Sequence, residues 1–280
     1  MTTNPQDTDL TLVIGGTGKS GRRVADRLKQ KGRNVRIGSR SSVPAFDWDR
    51  EEGWAAALDG VTGVYITYSP DLAMPGATDA IRALVQRAKQ ADVKRLVLLS
   101  GRGEEEAQAC ENIVRESGLE WTVVRASWFN QNFSEGAFVD MVLSGTITLP
   151  AGDTPEPYVD VDDISDVAVA ALTQEGHHGE IYEVTGPRLM TMADIATDLS
   201  QATGRTITYV DVPHEGFVEE IEHSGAPKEV VWMLDYLFST VLDGRNASLK
   251  DGVEKALGRK PKDFADYARD AAKTGVWDAN

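Results

Sequence analysis

The amino-acid sequence predicts an α/β protein with a doubly wound parallel sheet and a smaller C-terminal α/β lobe. Three observations carry this prediction. Strand-like apolar runs alternate with helical patterns over the first 150 residues. These runs are apolar at consecutive positions, which is typical of strands covered by helices on both faces. After about residue 130 the alternation loosens, which indicates a second and smaller part of the chain.

The first half contains five predicted strands with four predicted helices between them. Within the third helix Ile81, Leu84 and Val85 recur at helical spacing, so one face of it is apolar. The predicted strands are Leu10–Gly15, Asn34–Gly38, Gly63–Tyr68, Arg95–Ser100 and Glu120–Arg125. The predicted helices are Lys19–Lys31, Trp54–Leu58, Ala77–Gln90 and Glu105–Glu116.

The second half is predicted to mix helices with shorter strands. Asp162 or Asp163 is placed to cap a helix, and Thr191 with Asp194 three residues later resembles a capping box. The predicted helices are Asp163–Leu172, Thr191–Thr203, Phe264–Thr274 and an apolar segment, Val230–Leu242, expected to be buried or to line a pocket. The predicted strands are Ile181–Val184 and Thr206–Val212.

Composition and charge argue against several classes of protein. The net charge of the 280 residues is −15, and an acidic surface repels phosphate backbones, so no nucleic-acid partner is expected. The histidines lack metal-ligand spacing, so no metal site is expected. No apolar run approaches the roughly 18 residues that cross a bilayer, and residues 1–9 do not resemble a signal peptide. We therefore expect no membrane partner and a cytoplasmic location. The single cysteine, Cys110, is expected to pack in a core.

A glycine-rich turn follows the first predicted strand and opens the first predicted helix. Its glycines are spaced three residues apart, at Gly15, Gly18 and Gly21. Such glycines permit a tight turn, a close approach of the backbone to a pyrophosphate, and close packing of helix on strand. Free N–H groups at the helix N-terminus then bind the anion. The predicted dinucleotide ligands here are Gly15, Thr17, Gly18, Lys19, Ser20 and Gly21.

This turn also indicates how the chain is organised. Gly18-Lys19-Ser20 matches the end of a nucleoside-triphosphate loop, but that motif needs glycine where this chain has Val13. The spacing therefore favours a dinucleotide. We predict a Rossmann-like dinucleotide-binding domain over residues 1–150. A substrate-binding lobe is predicted over residues 151–280, with the chain crossing between the two.

The end of the second strand indicates which nicotinamide dinucleotide binds. An NAD site usually has Asp or Glu here for the ribose 2′-hydroxyl. This segment instead reads Ser39-Arg40-Ser41. Arg40 and Ser39 suit a 2′-phosphate, so NADP (NADPH) is predicted, with NAD as the alternative. A solvated surface charge is the other interpretation of Arg40.

From Leu12 to about Trp277 the sequence resembles the NmrA-like family of atypical short-chain dehydrogenases/reductases. The resemblance rests on the GGTGKSG turn and on six further stretches: Phe46–Asp49, Trp54–Val61, Glu111–Phe133, Asp243–Ala247, Leu257–Phe264 and Gly275–Trp277. It implies that NAD(P)H binds with Asp47 near the adenine. It also implies an activity like that of quinone reductases.

The chain departs from most short-chain dehydrogenases at the catalytic pair. The usual Tyr-x-x-x-Lys donates a proton from Tyr to a carbonyl, while Lys lowers the pKa of that Tyr. The expected positions fall near Gly103 and Ala107, and no Tyr-x-x-x-Lys occurs in the chain. Ordinary alcohol or ketone chemistry is therefore disfavoured. A quinone or extended enone remains suitable, because its delocalised oxyanion takes a proton from water.

Further site residues are expected at the carboxyl ends of strands, where ligands bind in such sheets. Ser100 and Asn132 are candidates to hydrogen-bond a quinone oxygen, and Tyr158 is a candidate proton donor. Ser100 is equally compatible with a turn or a cofactor contact, and each aromatic with core packing. The remaining predicted cofactor ligands are Tyr68, Ser69 and Ser100. The predicted substrate ligands are Trp128, Phe129, Trp232 and Tyr236.

Two functions from different classes stay open. The first is an NAD(P)H-dependent reductase of a quinone or conjugated aromatic, polyketide-like carbonyl, which could also be the reductase half of a hydroxylation or monooxygenation. The second is a non-catalytic NAD(P) redox sensor that regulates a protein partner. Loss of the Tyr/Lys pair fits both. A sugar-nucleotide epimerase normally needs that pair and is disfavoured.

Overall fold

The apolar runs of the sequence form the strands of a six-stranded sheet in the computed structural model, which describes residues 9–136 and 138–278. Two shorter strands form a second sheet. The strands are β1 (Leu10–Ile14), β2 (Asn34–Gly38), β3 (Gly63–Ile66), β4 (Arg95–Gly101), β5 (Glu120–Ala126), β6 (Thr146–Leu149), β7 (Glu180–Val184) and β8 (Thr208–Asp211).

The large sheet has the order β2-β1-β3-β4-β5-β7. β1 pairs in parallel with both β2 and β3, and β3 pairs in parallel with β4. The direction of winding therefore reverses at β1, and ligands of such sheets bind beyond the carboxyl ends of the strands at this point. The predicted doubly wound α/β fold is confirmed.

Helices connect the strands much as the periodicity predicts. A 3₁₀ turn, Glu51–Gly53, precedes α2, and a π-helical turn, Leu237–Val241, follows α10. None of the helices in the described residues is long and apolar enough to cross a membrane. The helices are α1 (Lys19–Gln30), α2 (Trp54–Leu58), α3 (Ala77–Gln90), α4 (Glu105–Arg115), α5 (Asn132–Glu135), α6 (Val139–Ser144), α7 (Val161–Thr173), α8 (Met192–Thr203), α9 (His214–His223), α10 (Lys228–Tyr236), α11 (Gly252–Leu257) and α12 (Phe264–Lys273).

The chain divides into two compact units with boundaries unlike the predicted 1–150 and 151–280. The first unit runs to Arg125 and adds Ile164–Glu183 and Gly252–Gly258. The second comprises Ala126–Asp163, Val184–Asp251 and the residues from Arg259 onward. The first unit recruits the later segments because β7 belongs to its sheet. Cofactor binding by one unit and substrate binding by the other stay predictions.

The core of the first unit lies between the sheet and the apolar faces of α3 and α4. Ile81 and Leu84 are fully buried there, as their helical spacing predicts. Cys110 belongs to the same cluster. Burial raises the pKa of its thiol to about 12, so it remains a neutral core side chain.

The second unit is built around an aromatic core. Phe133, Phe264 and Tyr158 pack there in edge-on contacts with ring centres 5.8–6.5 Å apart. The predicted capping box of α8 is confirmed, because the side chain of Thr191 accepts from the Asp194 amide and that of Asp194 accepts in return. Such a cap stabilises a helix by about 1 kcal/mol.

Two expectations for the second half are wrong. α7 begins at Val161, so the residue before it is Asp160, whose carboxylate accepts from the N–H of Asp162 at 2.8 Å. Asp163 instead accepts from Arg259 Nη1 at 2.5 Å. The burial expected over Val230–Leu242 is absent from α10, none of whose residues is buried, and is found only in the π-helical turn at Phe238 and Val241; lining of a pocket by this segment stays a prediction.

Candidate functional site

The turn after β1 brings the glycines together at the start of α1. Gly15 has a φ of 67° and donates its N–H to the Gly38 carbonyl at 2.9 Å. Gly18 donates its N–H to the Gly15 carbonyl at 2.8 Å. Thr17 and Gly18 are exposed at the tip of this loop, while Ser20 is buried beneath it. The turn therefore presents bare backbone beside a helix N-terminus.

Two of these glycines have no room for a side chain. A Cβ on Gly15 would lie 2.1 Å from Thr67 Oγ1. A Cβ on Gly21 would lie 2.1 Å from the carbonyl oxygen of Gly15. Strand β1, the turn and α1 thus approach each other at the distance that a dinucleotide turn requires, and the cradle fits a pyrophosphate. Lys19 is half-buried at the first position of α1.

Serines hold the loop that follows β2. The hydroxyl of Ser42 donates to the Ser39 carbonyl at 2.8 Å and accepts from the Ser39 N–H at 3.0 Å. The hydroxyl oxygens of Ser39 and Ser41 lie 3.3 Å apart. The side chain of Arg40 is exposed on this loop. A charged fork on a fixed turn suits a phosphate, and binding by Ser39 and Arg40 stays a prediction.

Asp47 and Tyr68 lie in one aromatic neighbourhood of the first unit. The carbonyl of Asp47 accepts from Trp54 Nε1 at 2.7 Å. The ring of Tyr68 lies 4.8 Å from that of Trp48, centre to centre. Burial, followed by the charge of Asp49, raises the pKa of Tyr68, so its hydroxyl stays protonated. Asp47, Tyr68 and the exposed Ser69 stay predicted cofactor ligands.

The Ser100 side chain belongs to a buried network at the carboxyl end of β4. Its hydroxyl donates to Glu111 Oε1 at 2.7 Å. Arg125 binds the same carboxylate with two nitrogens, Nε at 2.9 Å and Nη2 at 2.5 Å. Because the Ser100 proton is committed to Glu111, its oxygen is left as an acceptor. This geometry favours a cofactor contact over donation to a quinone oxygen.

Two carboxyl groups that the sequence analysis did not single out lie at the same end of the sheet. Asp71 follows β3 and Glu104 follows β4, and burial, followed by the neighbouring Asp71 carboxyl, raises the pKa of Glu104. We call them the acid pair. Glu104 is 5% exposed, and a Cβ on Gly101 would lie 2.0 Å from its Oε1. The sequence signal that could have revealed the pair is Gly101 at the end of β4, together with an acidic residue shortly after each of β3 and β4.

The second unit contains two candidate catalytic residues, Asn132 and Tyr158, and Tyr158 lies in the aromatic core. It is 2% exposed, and its hydroxyl donates to Met192 Sδ at 3.8 Å. Burial raises the pKa of Tyr158, which disfavours proton donation. Tyr158 is therefore not carried into the proposed chemistry. Asn132 is half-buried at the start of α5 and stays a candidate.

The predicted substrate aromatics form two separate contacts within the second unit. Trp128 packs on Phe238 with ring centres 5.2 Å apart. Trp232 and Tyr236 stack along α10, with ring centres 5.3 Å apart and planes only 5° from parallel. Trp232 is 37% exposed, so this stack has a face open to solvent. Trp128, Trp232, Tyr236 and the half-buried Phe129 stay predicted substrate ligands.

Comparisons with known proteins match nearly the whole chain. The model of the NmrA-like family matches residues 7–268. An agroclavine dehydrogenase of Claviceps fusiformis is 31% identical over 95% of this chain and 98% of its own length. An NAD(P)H azoreductase of Xenophilus azovorans is 30% identical over 93% of this chain and 97% of its own length. The crystal structure of an NADPH-dependent quinone oxidoreductase from Escherichia coli, complexed with NADPH, has a TM-score of 0.74 at 21% identity, covering 92% of this chain and 98% of that one.

Proposed function

Because the chain belongs to the NmrA-like family, we propose that it is a reductase that uses NADPH to reduce a quinone or a similar conjugated acceptor. Two relatives that match it over nearly their full lengths are named as a dehydrogenase and an azoreductase. The chain is an NAD(P)H-dependent oxidoreductase. The observation that carries the proposal is an intact dinucleotide cradle in a chain without the Tyr-x-x-x-Lys pair.

The cofactor would be held by the first unit. The backbone of Gly15, Gly18 and Gly21 and the N-terminus of α1 would bind the pyrophosphate. Arg40 would bind the 2′-phosphate, which selects NADPH over NADH. When bound, NADPH supplies the hydride for the reaction.

The Ser100 network would orient the nicotinamide end of the cofactor. Arg125 fixes both oxygens of Glu111, and Glu111 in turn fixes the Ser100 hydroxyl. The Ser100 oxygen is then positioned to accept a hydrogen bond, which suits an amide or ribose hydroxyl donor of the cofactor. This arrangement positions the cofactor, and it does not supply a proton to the acceptor. It therefore fits acceptors whose reduced form is a stabilised anion, as quinones are.

A titration with NADPH and NADH, followed by rapid mixing with menadione and a polycyclic anthraquinone, tests the proposal. We expect tight NADPH binding, weaker NADH binding, and enzyme-dependent loss of the reduced-nicotinamide absorbance with one acceptor or both. NADPH that binds tightly and stays reduced with every acceptor would contradict the reductase and favour the sensor. Partnership with a hydroxylating enzyme stays a prediction of the sequence.

A further inference from the structure

We propose that the acid pair, Asp71 and Glu104, carries a shared proton and that Glu104 donates it to the reduced acceptor. This inference rests on the proposed reductase function and deepens it. It adds to the quinones a second class of acceptor, the azo or carbonyl compounds whose reduced anion is too basic to be released without a proton. Glu104 thus supplies the proton that the Tyr of a Tyr-x-x-x-Lys pair, absent from this chain, would otherwise donate.

The position of Glu104 is the first support. Its carboxyl lies against the backbone of Gly101, where a Cβ would be 2.0 Å from Oε1. Gly101 directly follows Ser100, the residue placed to orient the cofactor. Ligands bind at this end of such sheets. A carboxyl group here is in the neighbourhood where protonation of an acceptor is needed.

The second support is an orphaned atom. Glu104 Oε2 is buried and has no hydrogen-bond partner among the described residues. A buried polar atom without a partner costs about 1–3 kcal/mol, so such atoms occur where a ligand or a reaction uses them. An added Cβ on Gly101 would lie 2.0 Å from Oε1 and 2.4 Å from Oε2, so the whole carboxyl packs on Gly101, and the partnerless Oε2 is the oxygen available to a ligand.

The third support is the charge around the pair. Two neighbouring carboxyl groups that are removed from water are stable together only if one of them carries a proton. The charged groups that contribute most to the shift of Glu104 are acidic: Asp71, Glu106 and Glu111. Burial and these charges raise the pKa of Glu104 to about 9, and burial raises the pKa of Asp71. Glu104 therefore holds its proton at neutral pH.

The proton balance of the step is simple. After hydride reaches an azo nitrogen or a carbonyl carbon, the acceptor bears an anion. The O–H bond of Glu104 breaks, and its proton and a lone pair of that anion form the new N–H or O–H bond. Glu104 is left as a carboxylate. Asp71, which is half-buried and lies beside Glu104, then passes a proton from solvent back to the Glu104 carboxylate.

The activity test compares Glu104→Gln with Glu105→Gln, an exposed neighbour at the start of α4. With NADPH and the azo dye methyl red, we expect Glu104→Gln to lower kcat about 100-fold, which is the effect expected when a general acid is removed. With menadione we expect a smaller decrease in kcat. Wild type should lose activity as pH rises towards 9, the raised pKa of Glu104. Asp71→Asn should move that loss to lower pH, and Glu105→Gln should behave as wild type.

The pH dependence of stability, measured without cofactor, tests the protonation of Glu104 independently of enzyme turnover. The pKa of Glu104 is 4.5 in the unfolded reference and about 9 when folded, so its proton stabilises the fold below 4.5 and that stability is lost as pH rises to about 9. Urea unfolding of wild type and Glu105→Gln should show this decline. Glu104→Gln should remove it.

Three outcomes would overturn the inference. An equal loss with methyl red and menadione would make Glu104 a structural residue. An unchanged pH profile or an unchanged decline in stability in Glu104→Gln would show that Glu104 carries no proton. Wild type that binds NADPH and oxidises it with neither acceptor would overturn the reductase function itself, and the proton donation with it.

Discussion

The glycine turn after β1 and the buried network of Ser100, Glu111 and Arg125 both belong to the first unit, but they differ in the kind of residue from which they are made. The turn is a short run of small residues whose exposed backbone meets the ligand. The buried network joins side chains drawn from β4, α4 and β5, namely Ser100, Glu111 and Arg125. The first is specified locally and the second by the tertiary fold. A change in the first should therefore act on ligand binding, and a change in the second should act first on stability.

The largest effect is expected from Arg125→Met. It leaves Glu111, whose side chain is only 2% exposed, as an uncompensated buried charge. Removing one partner of a buried ion pair destabilises a protein by about 3–5 kcal/mol. Urea unfolding measures this. The control is Arg82→Met, which breaks the exposed pair with Asp79 and should cost well under about 1 kcal/mol. Equal effects in the two variants would show that the network contributes nothing special.

Gly21→Ala tests the glycine turn. The new Cβ would lie 2.1 Å from the Gly15 carbonyl oxygen, and backbone atoms cannot yield as a flexible side chain can. We expect NADPH affinity to fall about 100-fold, or roughly 2.7 kcal/mol. Gly216→Ala is the control, because nothing lies within 4 Å of its Cβ in α9. Fluorescence titration measures both, and wild-type affinity in Gly21→Ala would refute the cradle.

Arg40→Ala should alter the choice of cofactor more than the fold. Loss of its contact with a 2′-phosphate should weaken NADPH binding about tenfold, or roughly 1.4 kcal/mol. NADH binding should change little, since NADH lacks that phosphate. Titrations with both nucleotides give the ratio. Equal weakening of the two would assign Arg40 a general surface charge and no role in selectivity.

Gly101→Ala is expected to have the smallest effect on stability. Gly101 is a glycine at a strand end, and it packs on the buried carboxyl of Glu104. Its Cβ would displace the Glu104 carboxyl, which is the far end of a flexible side chain. Overpacking of this kind costs about 1 kcal/mol. The thermal midpoint should fall slightly, while the pH dependence of stability should weaken as in Glu104→Gln. A normal pH dependence would mean that the acid pair does not depend on this contact.

The same contrast explains what the sequence could reveal. The glycine turn, the strands and the α8 cap depend on residues close in the chain, so their spacing predicts them. The acid pair joins residues 33 positions apart, and only the parallel pairing of β3 with β4 brings their ends together. Tyr158 shows the reverse case, because nothing in the residues next to it in the sequence indicates that the aromatic core of the second unit encloses it.

Hydride transfer from bound NADPH is the central claim, and a single-turnover experiment tests it most directly. The protein, saturated with NADPH or with NADPH deuterated at the transferred position, is mixed anaerobically with menadione. We predict rapid oxidation that saturates with acceptor and is slower with the deuterated cofactor, since that bond breaks in the protein complex. Bound NADPH that remains reduced, or oxidation that is equally fast without the protein, would contradict the account.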